Sequence, residues 1–275
     1  MIKPFLIVAR VGDRSLHPHW LQDGAPMFDV FLSYFGDEPQ KYRDQATYYE
    51  QAKGGKWPEI GRIVEQNWDL ISQYKAVWFP DDDLLINASE INRLFSFMLA
   101  FDLALAQPAL SMDSYFSHSS LLVQHNSALR LTNFIEVMAP VFSAKALQTL
   151  RHTFKQSPSG WGLDNLWPHL LSADDRIAVI DAVTVVHTRP VGGELYKKNP
   201  DLHPANDVRK LAEMYPELDI SRSSFKNKFR VFAQLRYAIS HNPLSAFILG
   251  KKQRILSKKR SKQVTKYGQS PKTGV

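Results

Sequence analysis

The amino-acid sequence predicts an α/β fold, and three observations lead there. Short aliphatic and aromatic runs stop at Gly, Pro or Asp as strands do, stretches between them carry apolar residues at helical spacing, and the two kinds alternate. Such alternation argues for an α/β sandwich with a largely parallel sheet, because a parallel strand pair needs a crossover that is usually helical.

Residues 5–9 and 28–34 read as the first two buried strands. Ile60, Ile63, Val64, Trp68 and Ile71 recur at helical spacing after Pro58, which suits a first turn, and predict a helix over 58–73. Residues 75–79 supply the next strand, ended by Pro80 and three aspartates. Asn87 followed by Glu90 fits a capping box, and Ile91, Leu94, Phe95, Met98 and Leu99 form the apolar stripe of the helix it starts. Further strands are expected at 103–106, 121–124, 134–142 and 177–187, with a helix from near Ser143.

Hydrophobic residues are 44% of the chain and aromatic residues 12%, enough for a globular core and too many for a disordered, collagenous or coiled-coil protein. Cysteine is absent, which excludes disulfides, thiolate metal sites and cysteine nucleophiles. The first apolar run reaches Arg10 and Asp13 too soon for a signal peptide, and no later run is long enough to span a bilayer. The expected location is cytoplasmic, either free or associated with the membrane on that face. The net charge of +7 is a tail property: residues 1–220 hold 20 basic and 27 acidic side chains, whereas 221–275 hold 14 basic and no acidic ones. Three units are expected: a catalytic domain over 1–200, a helical extension over 201–248 and a basic, disordered tail over 249–275.

The sharpest local signal is Val77-Trp78-Phe79-Pro80-Asp81-Asp82-Asp83-Leu84, a strand that delivers three carboxylates at its C-terminal end. Open α/β sheets bind ligands at that edge. Adjacent acids repel one another, so a cation or strong donors must compensate. Asp81 and Asp83, two apart, can point to one side and hold a hard divalent ion, Mn2+ or Mg2+, with diphosphate oxygens completing the shell. A solvated turn with an Asp-rich helix cap is the alternative. His187 ends the apolar run Val183-Thr184-Val185-Val186-His187 and is either a metal ligand or a structural residue. Ser159-Gly160-Trp161-Gly162-Leu163-Asp164 offers glycines for close backbone approach, an aromatic face for a sugar ring and a carboxylate that is either functional or a plain N-cap. Glu136, expected inside the strand at 134–142, bonds a ligand or sits on an edge. Lys53-Gly54-Gly55-Lys56-Trp57 precedes a helix and either meets phosphate or forms a surface loop.

Asp81-Asp82-Asp83-Leu84, Gln107-Pro108-Ala109-Leu110, Glu136-Val137-Met138-Ala139-Pro140-Val141-Phe142-Ser143, Trp161-Gly162-Leu163-Asp164 and Val185-Val186-His187, in this order, resemble an uncharacterised family grouped with GT-A glycosyltransferases. The resemblance implies a GT-A-like fold: a Rossmann-like nucleotide-binding half with a mixed central sheet, followed by an acceptor-binding half. It also implies a nucleotide-sugar donor and a glycan or lipid-linked acceptor. By motif, Asp81 and Asp83 resemble the Asp-X-Asp pair that holds metal and diphosphate, with Asp82 between them at the donor, and His187 resembles the C-terminal metal-binding histidine. Trp161 and Gly162 open an element similar to Trp-Gly-X-X-acid, which implies Asp164 as general base of an inverting enzyme, with Glu136 as the other acid. That element usually carries an acidic pair, and here Leu163 precedes Asp164. Arg10 and Gly12, after the first strand, are expected at the nucleotide, and Lys53 and Lys56 at phosphate.

Other classes compete. A phosphatase of the haloacid dehalogenase type would make Asp81 a nucleophile and Asp83 its acid/base, but Leu85 replaces the usual Thr or Val and Pro80 breaks the strand early. The basic tail suits nucleic acid, although the acidic body offers no complementary groove. A silent scaffold would keep the fold without activity. Phe225, Phe229, Phe232, Leu235 and Ile239 recur at helical spacing among Lys226, Lys228, Arg230 and Arg236, predicting a basic amphipathic helix that meets an anionic membrane or packs on the body.

Overall fold

Residues 5–11, Phe-Leu-Ile-Val-Ala-Arg-Val, are apolar almost without alternation, as a parallel strand covered on both faces must be. In the computed structural model they form β1 (Phe5–Val11), buried along its whole length. The structure describes residues 2–190, 204–218, 220 and 230–236. After β1 come α1 (His17–Trp20), β2 (Phe28–Tyr34), β3 (Tyr48–Gln51), α2 (Lys56–Gln66), α3 (Trp68–Ile71), β4 (Ala76–Trp78), β5 (Leu84–Leu85), α4 (Ala88–Ala100) and β6 (Leu103–Leu110). They are followed by β7 (Ser127–Thr132), β8 (Val141–Ser143), α5 (Ala144–Leu150), α6 (Leu163–Leu170), β9 (Arg176–His187), α7 (Pro204–Met214) and β10 (Val231–Arg236).

Among the described residues the strands join in the order β10-β7-β9-β6-β8-β4-β1-β2-β3, with β5 pairing β9 off that path. Strands β3, β2, β1 and β4 run parallel, as do β6 and β9. Strand β8 is antiparallel to both β4 and β6, and β7 is antiparallel to β9. The central sheet is therefore mixed rather than largely parallel. Alternate residues of β1 serve opposite faces, as the period of a strand requires. Phe5, Ile7, Ala9 and Val11 pack with Ile91, Leu94 and Phe95 of α4. Leu6 and Val8 pack with Ile60, Ile63 and Val64 of α2, Leu147 of α5 and Trp167 of α6.

Two long-range features set the frame of the site. The β5–β9 pairing places Leu84 opposite His187, and the Trp20 indole N–H fixes the same turn by donating to Leu84 O at 2.8 Å. Along β9 the register with β6 slips between Ile180 and Thr184, and Asp181 in that bulge meets Arg130 of β7. Their two bonds, Nε to Oδ2 at 2.8 Å and Nη2 to Oδ1 at 2.9 Å, are buried, and the guanidinium also donates to Ser120 O and Leu122 O at 2.6 and 3.1 Å.

Several sequence expectations change. The helix expected over 58–73 is two, α2 and α3, broken at Asn67, whose Nδ2 donates to Ile63 O at 2.9 Å. No strand forms at 121–124, where Arg130 claims the nearby carbonyls and a 3₁₀ turn at Ser119–Leu121 leaves one bridge, Leu110 to Leu122. The strand expected at 134–142 contracts to β8: residues 137–138 form a turn whose carbonyls accept Lys56 Nζ, and Glu136 lies in the loop before it. Strand β7 was not foreseen. The amphipathic helix expected around Phe225–Ile239 is also corrected: residues 231–236 form β10, antiparallel to β7. Val231, Ala233 and Leu235 fit a period of two where Phe232 and Leu235 fit a helical one, and pairing to β7 decides between them. Among the described residues α7 is the helix that falls within 201–248; the rest of the amphipathic segment and residues 249–275 lie outside the described residues.

Candidate active site

Chain direction brings the ends of β1 and β4 side by side, and there each aspartate takes its own partner. Asp81 Oδ1 is in a short ion pair with Lys56 Nζ, which also donates to Val137 O at 2.9 Å and Met138 O at 3.2 Å. Asp82 Oδ2 accepts from Gly12 N at 2.8 Å, and Oδ1 from Arg189 Nη1 at 3.1 Å. Asp83 Oδ2 faces His187 Nε2 at 3.3 Å, while its Oδ1 is buried without a hydrogen-bond partner. This division of partners answers the repulsion of three neighbouring acids. Burial raises the Asp81 carboxyl, against the Lys56 charge and with the charge of Asp83. Burial also raises Asp82, against the bond from Gly12.

His187 is oriented from behind. Its Nδ1 lies 2.9 Å from Tyr115 O, and its backbone N donates to Ser114 Oγ at 3.1 Å. A carbonyl only accepts, so Nδ1 carries a proton and Nε2 is the atom turned to Asp83. Burial lowers the His187 pKa, but the bond and charge of Asp83 outweigh it and the net shift is upward. A carbonyl behind one ring nitrogen and a carboxylate before the other also suits a metal ligand. The partnerless Asp83 Oδ1 and the Nε2 atom fit a divalent ion such as Mn2+ or Mg2+. Among the described residues no group of three or more His, Asp or Glu side chains gathers as a metal site, because Asp81 and Asp82 are turned to other partners. Diphosphate oxygens and water would complete such a shell.

Glu136 and Asp164 border this cluster. Gln107 Oε1 accepts the Glu136 N–H at 2.7 Å, and the carboxyl is buried with Oε2 unpartnered. Burial pushes Glu136 up to about 7, with the charge of Asp164 adding and that of His187 opposing. Asp164 stands in the first turn of α6, and the N-cap is Gly162, at φ 91°. Asp164 is therefore not the N-cap, although its Oδ1 accepts Asn165 N at 3.0 Å. Asp164 is half-buried, and burial pushes its carboxyl up to about 7, against the N–H bonds of Asn165 and Gly162. Such a value suits a general base near neutral pH.

The remaining predicted residues divide. Trp161 and Gly162 share the Asp164 loop, where Gly160 has φ +80° and an added Cβ would lie 2.2 Å from Trp57 Cδ1. A Cβ on Gly162 would reach only the tip of Leu211 of α7, at 2.9 Å, so its φ of +91° rather than packing favours glycine there. Gly12 is at the site through its N–H on Asp82, and its Cα faces the Phe35 ring, which a Cβ would meet at 2.6 Å. Arg10 is 4% exposed and donates to Ser33 Oγ at 2.6 Å and Gly54 O at 3.0 Å, tying β1 to the 53–55 loop. Lys53 bonds Phe35 O and Asp37, both at 2.7 Å, and none of the three aspartates. Gln107, Ser114, Tyr115 and Arg189 were missed as partners. Gln107 had a signal, since an amide inside the apolar run Leu103-Ala104-Leu105-Ala106 onward must find a partner when buried. A separate cavity of 280 Å³, lined in part by Lys75, Leu99, Asp102 and Lys145, opens where β4 and β6 begin and includes none of these site residues.

No protein-family model and no curated protein matches the chain. Among solved structures, S. aureus TarS 1-349 in complex with UDP-GlcNAc is similar in fold, with a TM-score of 0.52 at 12% identity over 81% of this chain and 69% of that one. TarS 1-349 in complex with UDP gives 0.50 at 12% identity, covering 81% and 68%. The chain spans 45% of a longer crystallised TarS chain, at a TM-score of 0.48. The α/β fold with its mixed central sheet is thus one this chain shares with TarS 1-349.

Proposed function

We propose that this protein is a divalent-ion-dependent glycosyltransferase that moves a sugar from a nucleotide-sugar donor to a hydroxyl of a glycan or lipid-linked acceptor, with inversion. The observation that carries the reading is the meeting of the Asp83–His187 pair with two carboxyls near neutrality, Glu136 and Asp164, at the edge where β1 and β4 end. The likeness in fold to TarS with bound UDP-GlcNAc supports the donor class. Asp83 and His187 would hold Mn2+ or Mg2+, with Asp81, paired to Lys56, beside them. When bound, such an ion supplies positive charge against the donor diphosphate. Lys56 and the N-terminus of α2 add positive potential on the same side. Asp164 accepts the proton of the acceptor hydroxyl as its oxygen bonds to the anomeric carbon; the bond from that carbon to the diphosphate breaks, and the nucleoside diphosphate leaves.

The phosphatase reading is less well supported, because Asp81 Oδ1 is engaged by Lys56 and not free as a nucleophile. A membrane-proximal acceptor is supported by β10, where Val231, Phe232 and Leu235 are exposed beside the exposed Arg230 and Arg236. Among the described residues no helix is long and apolar enough to cross a membrane.

Calorimetric titration with UDP and UDP-sugars, with and without Mn2+, tests the proposal. Binding is expected with the ion, and Asp83→Ala or His187→Ala should weaken ion affinity by about 10- to 100-fold while the melting temperature holds. Tight, EDTA-resistant binding by Asp83→Ala would refute the assignment.

A further inference from the structure

Glu136 has features that the proton-transfer step leaves unexplained. Its backbone is pinned on both sides: Gln107 Oε1, itself fully buried, accepts its N–H at 2.7 Å, and Lys56 Nζ takes the next two carbonyls at 2.9 and 3.2 Å. The residue is 7% exposed, yet Oε2 has no hydrogen-bond partner. A buried carboxyl oxygen left this way is costly unless a ligand completes it. Position indicates which ligand. The charges of Asp164, on the acceptor side, and of His187 and Asp81, on the diphosphate side, all bear on Glu136. In any transfer from a nucleotide sugar the ring lies between those two sides, because its anomeric carbon is bonded to the diphosphate and approached by the acceptor. Ring hydroxyls both donate and accept, so they match a carboxyl in either protonation state.

From this we infer that Glu136 Oε2 is the subsite for a ring hydroxyl of the transferred sugar, and that it sets which sugar is accepted. The inference rests on the donor reading above. A pocket built to bond a hydroxyl rejects sugars that lack it or present it in the other configuration, because its own polar group is then left unpaired.

The test uses the full chain with Mn2+ and titrates UDP, UDP-GlcNAc, UDP-glucose and UDP-galactose into the native protein, Glu136→Gln and Glu136→Ala. UDP affinity should stay within about twofold in both variants, since UDP carries no sugar, and this also verifies folding. Affinity for the preferred UDP-sugar should fall by about tenfold or more in Glu136→Ala, less in the isosteric Glu136→Gln, and the ranking among sugars should flatten. Should the alanine variant fail to fold, the glutamine variant carries the comparison. Unchanged sugar ranking in a variant that still binds UDP would overturn the Glu136 subsite alone. Equal loss of UDP and UDP-sugar binding at an unchanged melting temperature would place Glu136 at the diphosphate and also overturn it. A native protein that binds neither UDP nor any UDP-sugar would remove the donor reading and the subsite together.

Discussion

Asparagine at position 164 keeps the side chain's size and its place in the first turn of α6 while removing the proton acceptor. A positioned base contributes roughly 10² to 10⁴ in rate, so turnover should fall by that factor while donor binding is retained. The pH profile tests the same residue independently. Burial pushes the Asp164 carboxyl up to about 7. The basic form is then about half the population at pH 7 and about a tenth at pH 6, and kcat/KM should lose close to tenfold per unit below that. The asparagine variant should be flat over the same range. Stability moves in the other direction. With the folded pKa raised above the ordinary 3.8, the native state holds the proton more tightly than the unfolded chain, and this contribution is lost as pH rises from about 4 through about 7. Asp164→Asn should therefore melt higher than the native protein at pH 8, with the difference vanishing near pH 4. Release of nucleoside diphosphate, followed against pH, and scanning calorimetry read the two effects. Near-native turnover by the variant, or an acid limb that survives the substitution, would refute Asp164 as base and turn attention to Glu136.

Asp181→Leu strands the buried guanidinium of Arg130, which costs about 3–5 kcal/mol and should lower the melting temperature by roughly 6–20 °C. Adding Arg130→Met should recover part of that loss, and a double variant no more stable than the single one would deny that the unpaired charge is the cause. Co-sedimentation with anionic vesicles should fall as salt rises, on deletion of residues 251–275 and with Phe232→Ser. Equal sedimentation with neutral vesicles would remove the charge attraction, and equal sedimentation by all variants would remove the tail and Phe232 from the contact.

Local physics made β1, β2 and α4 legible. Uninterrupted apolar runs mark the two strands, and Asn87 Oδ1 accepts Glu90 N at 3.0 Å as the capping pattern requires. The C-terminal position of His187 followed in the same way from the apolar run before it. Where tertiary partners decide the backbone, reading failed: the loop around Glu136 answers to Lys56, far earlier in the chain, and β7 conceals itself by burying an arginine. The site shows the same division. Asp81, Asp83 and His187 stand out by residue type at the ends of apolar runs, Glu136 as an acid inside one and Asp164 beside a glycine pair, and in the fold Asp83 meets His187. Their partners could not, because Lys56 with Asp81, Arg189 with Asp82 and Gln107 with Glu136 are contacts that no local spacing encodes.

The strand pairing that sets Asp83 against His187 also orders events during synthesis. Asp83 is translated about a hundred residues before its histidine, a delay of roughly 5–20 s at ordinary elongation rates. Lys56 and Gly12 precede the aspartates, so the first partners of Asp81 and Asp82 are already synthesised when these residues are added. Asp83 alone among the three must wait, and a nascent chain stopped short of β9 would carry the aspartate turn without the imidazole that completes it.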